Sequence, residues 1–267
     1  MHLVFTDLDG TLLNHDTYAW EPALPALTSL EAEGSPIIFV SSKTRAEMEV
    51  WRSRMANRHP FISENGGAIF IPCGYFPSPI PGSEIRDAYE ILCLGDSYAE
   101  LVRALKEASL RTGVRVLGFA DMTDDEIAEK TALARDDVHL ARQREFDEAF
   151  LILDMDRKES LLNAIEQAGK RWTQGGRFFH ITGHNSKAAA VSRLLEQFRT
   201  LHPGVVSIGM GDGPNDIPFL RLMDIPVIIP SAKLEQMTSA LPHARVARAS
   251  GPEGWNQEIL AILGRSS

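Results

Sequence analysis

The sequence predicts an α/β fold, a doubly wound parallel sheet core with an inserted α+β domain, and three observations carry this. Short apolar, β-branched runs alternate with segments of helical spacing over the first seventy residues. A stretch at 72–82, with four Pro and two Gly in eleven residues, breaks that rhythm, and 83–184 follows another. From 185 the first rhythm returns. The expected organisation is a core of 1–82 and 185–267 with a cap of 83–184 between them.

Leu3-Val4-Phe5 is a short strand, and 21–33 carries Leu24, Leu27 and Leu30 at helical spacing. The run 36–40 is a second strand, and 43–57, with Met48, Trp51 and Met55, a second helix. Phe61-Ile62-Ser63 is a third strand, with 68–71 pairing in a hairpin beyond Gly66-Gly67. In the insert, strands are expected at 90–94, 114–119, 149–153 and 177–181. Helices are expected at 97–112, 123–131 and 157–169, the second opened by a capping box of Thr123 and Glu126. The returning core reads as a helix at 186–199, a strand at 205–208, a helix at 216–223, a strand at 226–229 and a closing helix at 252–263.

Composition narrows the function. The 267 residues carry 27 Lys and Arg against 36 Asp and Glu, a net charge of −9, with no basic run. That argues against a nucleic-acid surface, which needs a basic stripe, but leaves room for a few cations gathered in one cleft. No apolar run reaches the length of a membrane span, and the first residues lack the regions of a signal peptide. Cys73 and Cys93 are too few for a disulfide framework or a zinc site. A cytoplasmic protein with a small-molecule substrate is expected, with neither nucleic acid nor membrane as partner.

Two acidic motifs carry the chemistry. Asp7-Leu8-Asp9-Gly10-Thr11 directly follows the first strand, and Gly211-Asp212-Gly213-Pro214-Asn215-Asp216 follows the strand at 205–208. Ligands bind at strand C-termini in open α/β sheets. Four carboxylates at two adjacent strand ends repel one another unless a cation lies between them, and all-oxygen ligands suit Mg²⁺. Ser41, at the end of the second strand, combines a hydroxyl with helix-start N–H groups, an anion site that is also an ordinary N-cap. Lys187 opens a helix, where the dipole disfavours a cation, which favours a role for it over simple solvation.

The order Asp-x-Asp-Gly-Thr, Ser41, Lys187, Gly-Asp-Gly-x-Asn-Asp resembles the haloacid-dehalogenase-like phosphatases, and the position of the insert resembles the class with a C2-type cap. A narrower resemblance, to the mannosyl-3-phosphoglycerate phosphatases, lies in 42–45, 63–67, 118–123, 144–150 and 175–180. Ala149 and Asn185-Ser186-Lys187 depart from that pattern, which has Pro and Asp-Lys-Gly there.

The resemblance implies Mg²⁺-dependent hydrolysis of a phosphate monoester. Asp7 is the nucleophile and Asp9 the general acid and base. Asp7, the Asp9 carbonyl, Asp212 and Asp216 surround the metal, and Ser41 and Lys187 hold the phosphoryl oxygens. Mannosyl-3-phosphoglycerate is the expected substrate. Glucosyl-3-phosphoglycerate, a general sugar phosphate and a sugar phosphomutase are alternatives. Lys43, Arg45 and Arg177 are candidates for the substrate's charges, Arg177 for its carboxylate and Glu148 for sugar hydroxyls. Glu64, Asn65, His180 and Asn215 complete the expected substrate-binding set. The hinges of the cap are expected in 72–82 and near Gly183.

Overall fold

The structure is a computed structural model that describes residues 1–131, 133, 135–175 and 178–265. The chain opens with β1 (His2–Thr6), α1 (Leu24–Ala32), β2 (Ile37–Val40), α2 (Arg45–Arg54) and β3 (Phe61–Ser63). It continues through β4 (Ala68–Pro72), β5 (Glu84–Arg86), β6 (Tyr89–Cys93), α3 (Tyr98–Thr112) and β7 (Val116–Gly118). Next come α4 (Asp124–Thr131), α5 (Arg135–Ala141), β8 (Asp147–Ile152), α6 (Lys158–Gln167), β9 (Arg171–Gly175) and β10 (Phe178–Thr182). The remainder is α7 (Lys187–Leu201), β11 (Val206–Gly211), α8 (Ile217–Leu220), β12 (Ile225–Ile228), α9 (Leu234–Ala240), β13 (Arg245–Val246) and α10 (Gly251–Ile262).

Nine strands form one sheet in the order β13-β12-β11-β1-β2-β3-β4-β6-β5. The six from β13 to β3 are parallel and the last three antiparallel. Alternation along β1 sends Leu3 and Phe5 to one face, with Ala190, Leu194 and Phe198 of α7. Val4 goes to the other face, with Leu30 of α1 and Trp255 and Ile259 of α10. Both faces are thus covered by helices, which is why the parallel strands are apolar throughout. Chain order reverses between β1 and β11, and this switch point is where such sheets open a crevice.

The second sheet, β7-β8-β10-β9, is antiparallel. Its Phe150, Ile152, Phe179 and Ile181 pack under α3 and α6. On its other face Ala149 and Phe178 pack with Phe119, Ile127 and Val138, beside α4 and α5. The capping box of Thr123 and Glu126 forms as expected.

The expected start of the insert at 83 differs from the structure, because β5 and β6 belong to the nine-stranded sheet. Ile91 joins one core layer and Leu92 the other, so β6 is buried on both faces like the strands beside it. The Pro/Gly-rich stretch is therefore a loop of the core and not a hinge. Its Phe76 and Ile80 pack into the α7 side, Phe76 edge-on to Phe198 at 5.3 Å. The outward crossover lies after β6, where the Leu94 and Gly95 N–H groups both donate to the Gly67 carbonyl. The return passes Gly183, where an added Cβ would lie 2.7 Å from Asp96 Oδ2, so the two crossovers touch. Among the described residues, β5, α5, β9, α9 and β13 were not expected from the sequence; β13 has two residues, and α5 and β9 carry mostly polar side chains.

Candidate active site

Parallel pairing of β1 with β11 sets Thr6 opposite Met210, and the Asp7 N–H donates to the Met210 carbonyl at 2.9 Å. The two acidic motifs thus leave neighbouring strand ends side by side. Carboxylate oxygens of Asp7, Asp212 and Asp216 all lie within 4.8 Å of one another. Gly10 turns the chain out of β1 at a φ of +77°, and a Cβ there would stand 2.8 Å from Asp212 Oδ2.

Lys187, 3% exposed, is the cation of this cluster. Its Nζ lies 2.5 Å from Asp7 Oδ1 and 2.7 Å from Asp216 Oδ1. Burial alone would lower its pKa, but Asp216 and Asp7 outweigh burial and hold the ammonium above the ordinary lysine range. One lysine does not neutralise three acids. Burial, with Asp216, Asp212 and Asp9 nearby, pushes the Asp7 carboxyl well up despite Lys187. Asp212 is pushed up to about 6 by burial and by Asp216.

The three acids differ in how far their oxygens are used. Asp216 receives Lys187 on Oδ1 and the Asp212 and Gly213 N–H groups on Oδ2. Asp212 accepts the Thr11 hydroxyl on Oδ1 at 3.0 Å, and its carbonyl accepts the Ser231 hydroxyl at 2.7 Å. The Asp7 and Asp212 carboxylates retain more capacity for a cation than that of Asp216. Asn215 is exposed on the loop above them.

Ser41 is buried at the end of β2, where its Oγ accepts the Lys43 N–H at 3.2 Å. Lys43 Nζ lies 2.9 Å from Asp9 Oδ1, 3.9 Å from Glu47 Oε1 and 5.1 Å from the centre of the Tyr18 ring. Asp9 and Lys43 open into a cavity of about 220 Å³ between the two sheets. From the core it is lined by Asp9, Tyr18, Lys43 and Glu47, and from the insert by Phe119, Arg144, Phe178 and His180. The Thr44 hydroxyl, donating to the Leu140 carbonyl at 2.9 Å, joins α2 to α5 beside it.

The substrate-binding candidates divide. Lys43 and His180 face this cavity. His180 is held through Nδ1, 2.8 Å from Asp147 Oδ1. Arg45 points elsewhere, paired with Glu49 at 3.0 Å and Asp87 at 3.4 Å. Glu148 is also elsewhere, because it alternates with Asp147 and Ala149 on β8 and so shares the α3 face with Phe150. Its Oε1 accepts the Ala120 N–H, Tyr98 donates to it, and burial pushes it up to about 7. Arg177 lies outside the described residues.

Glu64 and Asn65 fasten the two sheets together. Glu64, with no exposure, accepts the Glu145 and Phe146 N–H groups on its carboxylate, and burial pushes it up to about 8. Its own N–H donates to the Lys43 carbonyl, and that of Asn65 to the Ser41 carbonyl. The Asn65 side chain donates to Asp147. Burial would raise Asp147, but His180, Arg144 and this bond outweigh it and hold the carboxyl below the usual range.

Tyr18 and Ser231 are site residues missed in the sequence, and Arg144 and Asp147, although within the 144–150 stretch, have no role assigned to them there. Ser231 follows a strand end next to β11, a position that could have signalled it. The resemblance marks the stretch that Arg144 opens, but its sequence neighbours do not show that the arginine is buried beside a cavity.

The comparisons with known proteins agree with this geometry. Residues 4–241 match the family described as haloacid dehalogenase-like hydrolase. A glucosyl-3-phosphoglycerate/mannosyl-3-phosphoglycerate phosphatase of Methanococcoides burtonii is 39% identical over 100% of this chain and 98% of its own. A protein of the same name from Persephonella marina is 38% identical over 98% and 97%. A mannosyl-3-phosphoglycerate phosphatase of Pyrococcus furiosus is 37% identical over 86% of this chain and 91% of its own. In fold, a Thermoplasma acidophilum structure superposes with a TM-score of 0.69 at 19% identity, covering 99% and 98% of the two chains. Among the described residues no helix is long and apolar enough to cross a membrane.

Proposed function

The chain belongs to the haloacid dehalogenase-like hydrolase family, and we propose that it removes the phosphate from glycosyl-3-phosphoglycerates, accepting the glucosyl as well as the mannosyl sugar. The mannosyl ester is the first expectation from the sequence, with the glucosyl ester as an alternative. The two relatives that match across nearly the whole chain carry both sugars in their names, which supports the wider reading. The observation that carries the proposal is the 220 Å³ cavity, which joins Asp9 to cationic and aromatic side chains of both sheets. A substrate with a carboxylate and a sugar beside its phosphate has a use for each.

A divalent cation fits the acid cluster. Asp7, Asp212 and Asp216 bring carboxylate oxygens within 4.8 Å of one another around the one ammonium of Lys187, and burial together with these neighbouring acids raises the Asp7 and Asp212 carboxyls. Asp7 and Asp212 would hold Mg²⁺ directly, and Asp216, already committed to Lys187 and two N–H groups, would support them. Bound there, the ion would neutralise the carboxylates and stabilise negative charge on the phosphoryl oxygens.

The chain's own residues then divide the reaction. Asp7 attacks phosphorus through a carboxylate oxygen and forms an aspartyl-phosphate while the ester oxygen leaves. Asp9, at the cavity mouth and hydrogen-bonding distance from Lys43, gives the leaving oxygen its proton. As a carboxylate it then takes a proton from the water that attacks the acyl phosphate and releases inorganic phosphate. Lys187 keeps Asp7 oriented and offsets the repulsion between it and the incoming dianion. Ser41 offers its hydroxyl to a phosphoryl oxygen.

Steady-state phosphate release tests the reading. Glucosyl- and mannosyl-3-phosphoglycerate should both exceed glucose 6-phosphate and mannose 6-phosphate in kcat/KM by at least about tenfold, one charge-assisted hydrogen bond. Hexose phosphates hydrolysed as well as the glycosyl esters would contradict it.

A further inference from the structure

We propose that Arg144 is the residue that reads the substrate's carboxylate, an assignment that rests on the glycosyl-phosphoglycerate reading above. In such an ester the carboxylate is two carbons from the oxygen that Asp9 protonates. The group that recognises it must therefore share a cavity with Asp9, and Arg144 does.

The cations near that cavity are not equivalent. Lys43 is already engaged by Asp9 at 2.9 Å and by Glu47 at 3.9 Å. Arg45 is turned away to Glu49 and Asp87. Arg144 has a side chain only 8% exposed, paired through Nη1 with Asp147 at 3.0 Å. Its Nε–H is buried with no partner among the described residues. A buried donor left unmade is costly, more so on a charged group, so an arginine held in this state is prepared for an acceptor that arrives with the ligand.

The guanidinium is also held in place. Asp147 pins one end, and the Phe119 ring lies 5.6 Å from its central carbon. Asp147 in turn holds His180, whose Nε2 is the ring nitrogen left for the cavity. The planar fork of an arginine matches a carboxylate in a way that a lysine does not. The titratable groups around it are Glu47 and Asp9 from the core and Asp147, Glu148 and His180 from the insert, with Glu64 behind. Glu47 and Asp9 lie against Lys43, and Asp147 is shared with His180, while Arg144 holds a buried guanidinium N–H with no partner among the described residues.

The test compares glucosyl-3-phosphoglycerate with glucosylglycerol 3-phosphate, the same molecule with a CH₂OH in place of the carboxylate. Wild type should favour the first by about 10- to 150-fold in kcat/KM, the worth of one charge-assisted hydrogen bond. In Arg144→Gln that ratio should fall toward one. Arg144→Lys keeps a cation beside Asp147, so it carries the test if the glutamine variant does not fold, and its ratio should fall between the two. Arg177→Gln, run in parallel, tests the competing assignment from the sequence. An unchanged ratio in both Arg144 variants, with equal losses on the two substrates, would overturn the assignment, as would a collapse confined to Arg177→Gln. Failure of the substrate reading itself shows elsewhere, as wild type preferring glucose 6-phosphate to either glycosyl ester, and the assignment falls with it.

Discussion

Lys187→Met removes the cation from the acid cluster and should weaken both the fold and the reaction. The side chain is 3% exposed and touches Asp7 at 2.5 Å and Asp216 at 2.7 Å. Breaking a buried ion pair from one side typically costs about 3–5 kcal/mol, because the partner charge stays buried without compensation. For a chain of this size 1 kcal/mol moves Tm by roughly 2–4 °C, so a fall of about 6–20 °C is expected at neutral pH. The pH dependence has a definite sign. Asp7 and Asp212 have folded pKa values above their unfolded values of about 4. The stability they contribute is complete below about pH 4 and is lost as pH rises through the folded values, near 6 for Asp212. Without Lys187 both carboxyls should rise further, so the variant should lose stability more steeply with pH and approach wild type in acid. Thermal unfolding across pH 4 to 8, without divalent ions, reads this directly. Phosphate release should fall by about 10²–10³ alongside. A variant with wild-type Tm and an unchanged pH slope would refute the view that Lys187 offsets the cluster's charge.

Glu64→Gln should lessen the pH dependence of stability. The folded carboxyl is raised to about 8, so its contribution is full below about pH 4 and is lost as pH rises through 8. Gln still offers an oxygen to the Glu145 and Phe146 N–H groups, so Tm of the variant should fall less than that of wild type between pH 5 and 8; parallel curves would count against a buried, raised Glu64. Gly66→Ala should disturb the site from behind. At a φ of +90° its Cβ would lie 2.2 Å from the Ser186 carbonyl oxygen, against the backbone that presents Lys187. A loss of about 2 kcal/mol or more in urea unfolding is expected, with lower kcat; wild-type stability would show that the loop yields.

What was legible in the sequence follows from how local each signal is. The acids at 7, 9, 212 and 216 sit in motifs that name both a strand end and a charge, and parallel pairing of β1 with β11 completes the cluster. The insert was read less well. A strand alternates faces with every residue, so choosing between Asp147 and Glu148 needs the register of β8 against β10, which only the folded pair supplies. Asp147 faces the cavity side with Ala149, and Glu148 the helices. The hinge was misplaced because 72–82 has the composition of a linker, while Phe76 and Ile80 give it the packing of a core loop. Asp147 lies three residues from Arg144, but Phe119 and the cavity, which give the arginine its meaning, are distant in sequence.

The central proposal is that Asp7 acts as a covalent nucleophile toward a glycosyl-3-phosphoglycerate. The decisive measurement is an acid-quenched single turnover with glucosyl-3-phosphoglycerate labelled in its phosphate, followed by peptide mapping. Label should pass transiently to the peptide that contains Asp7, and Asp7→Asn should show neither label nor phosphate release. Normal turnover of this substrate by Asp7→Asn, or label on any other residue, would contradict it.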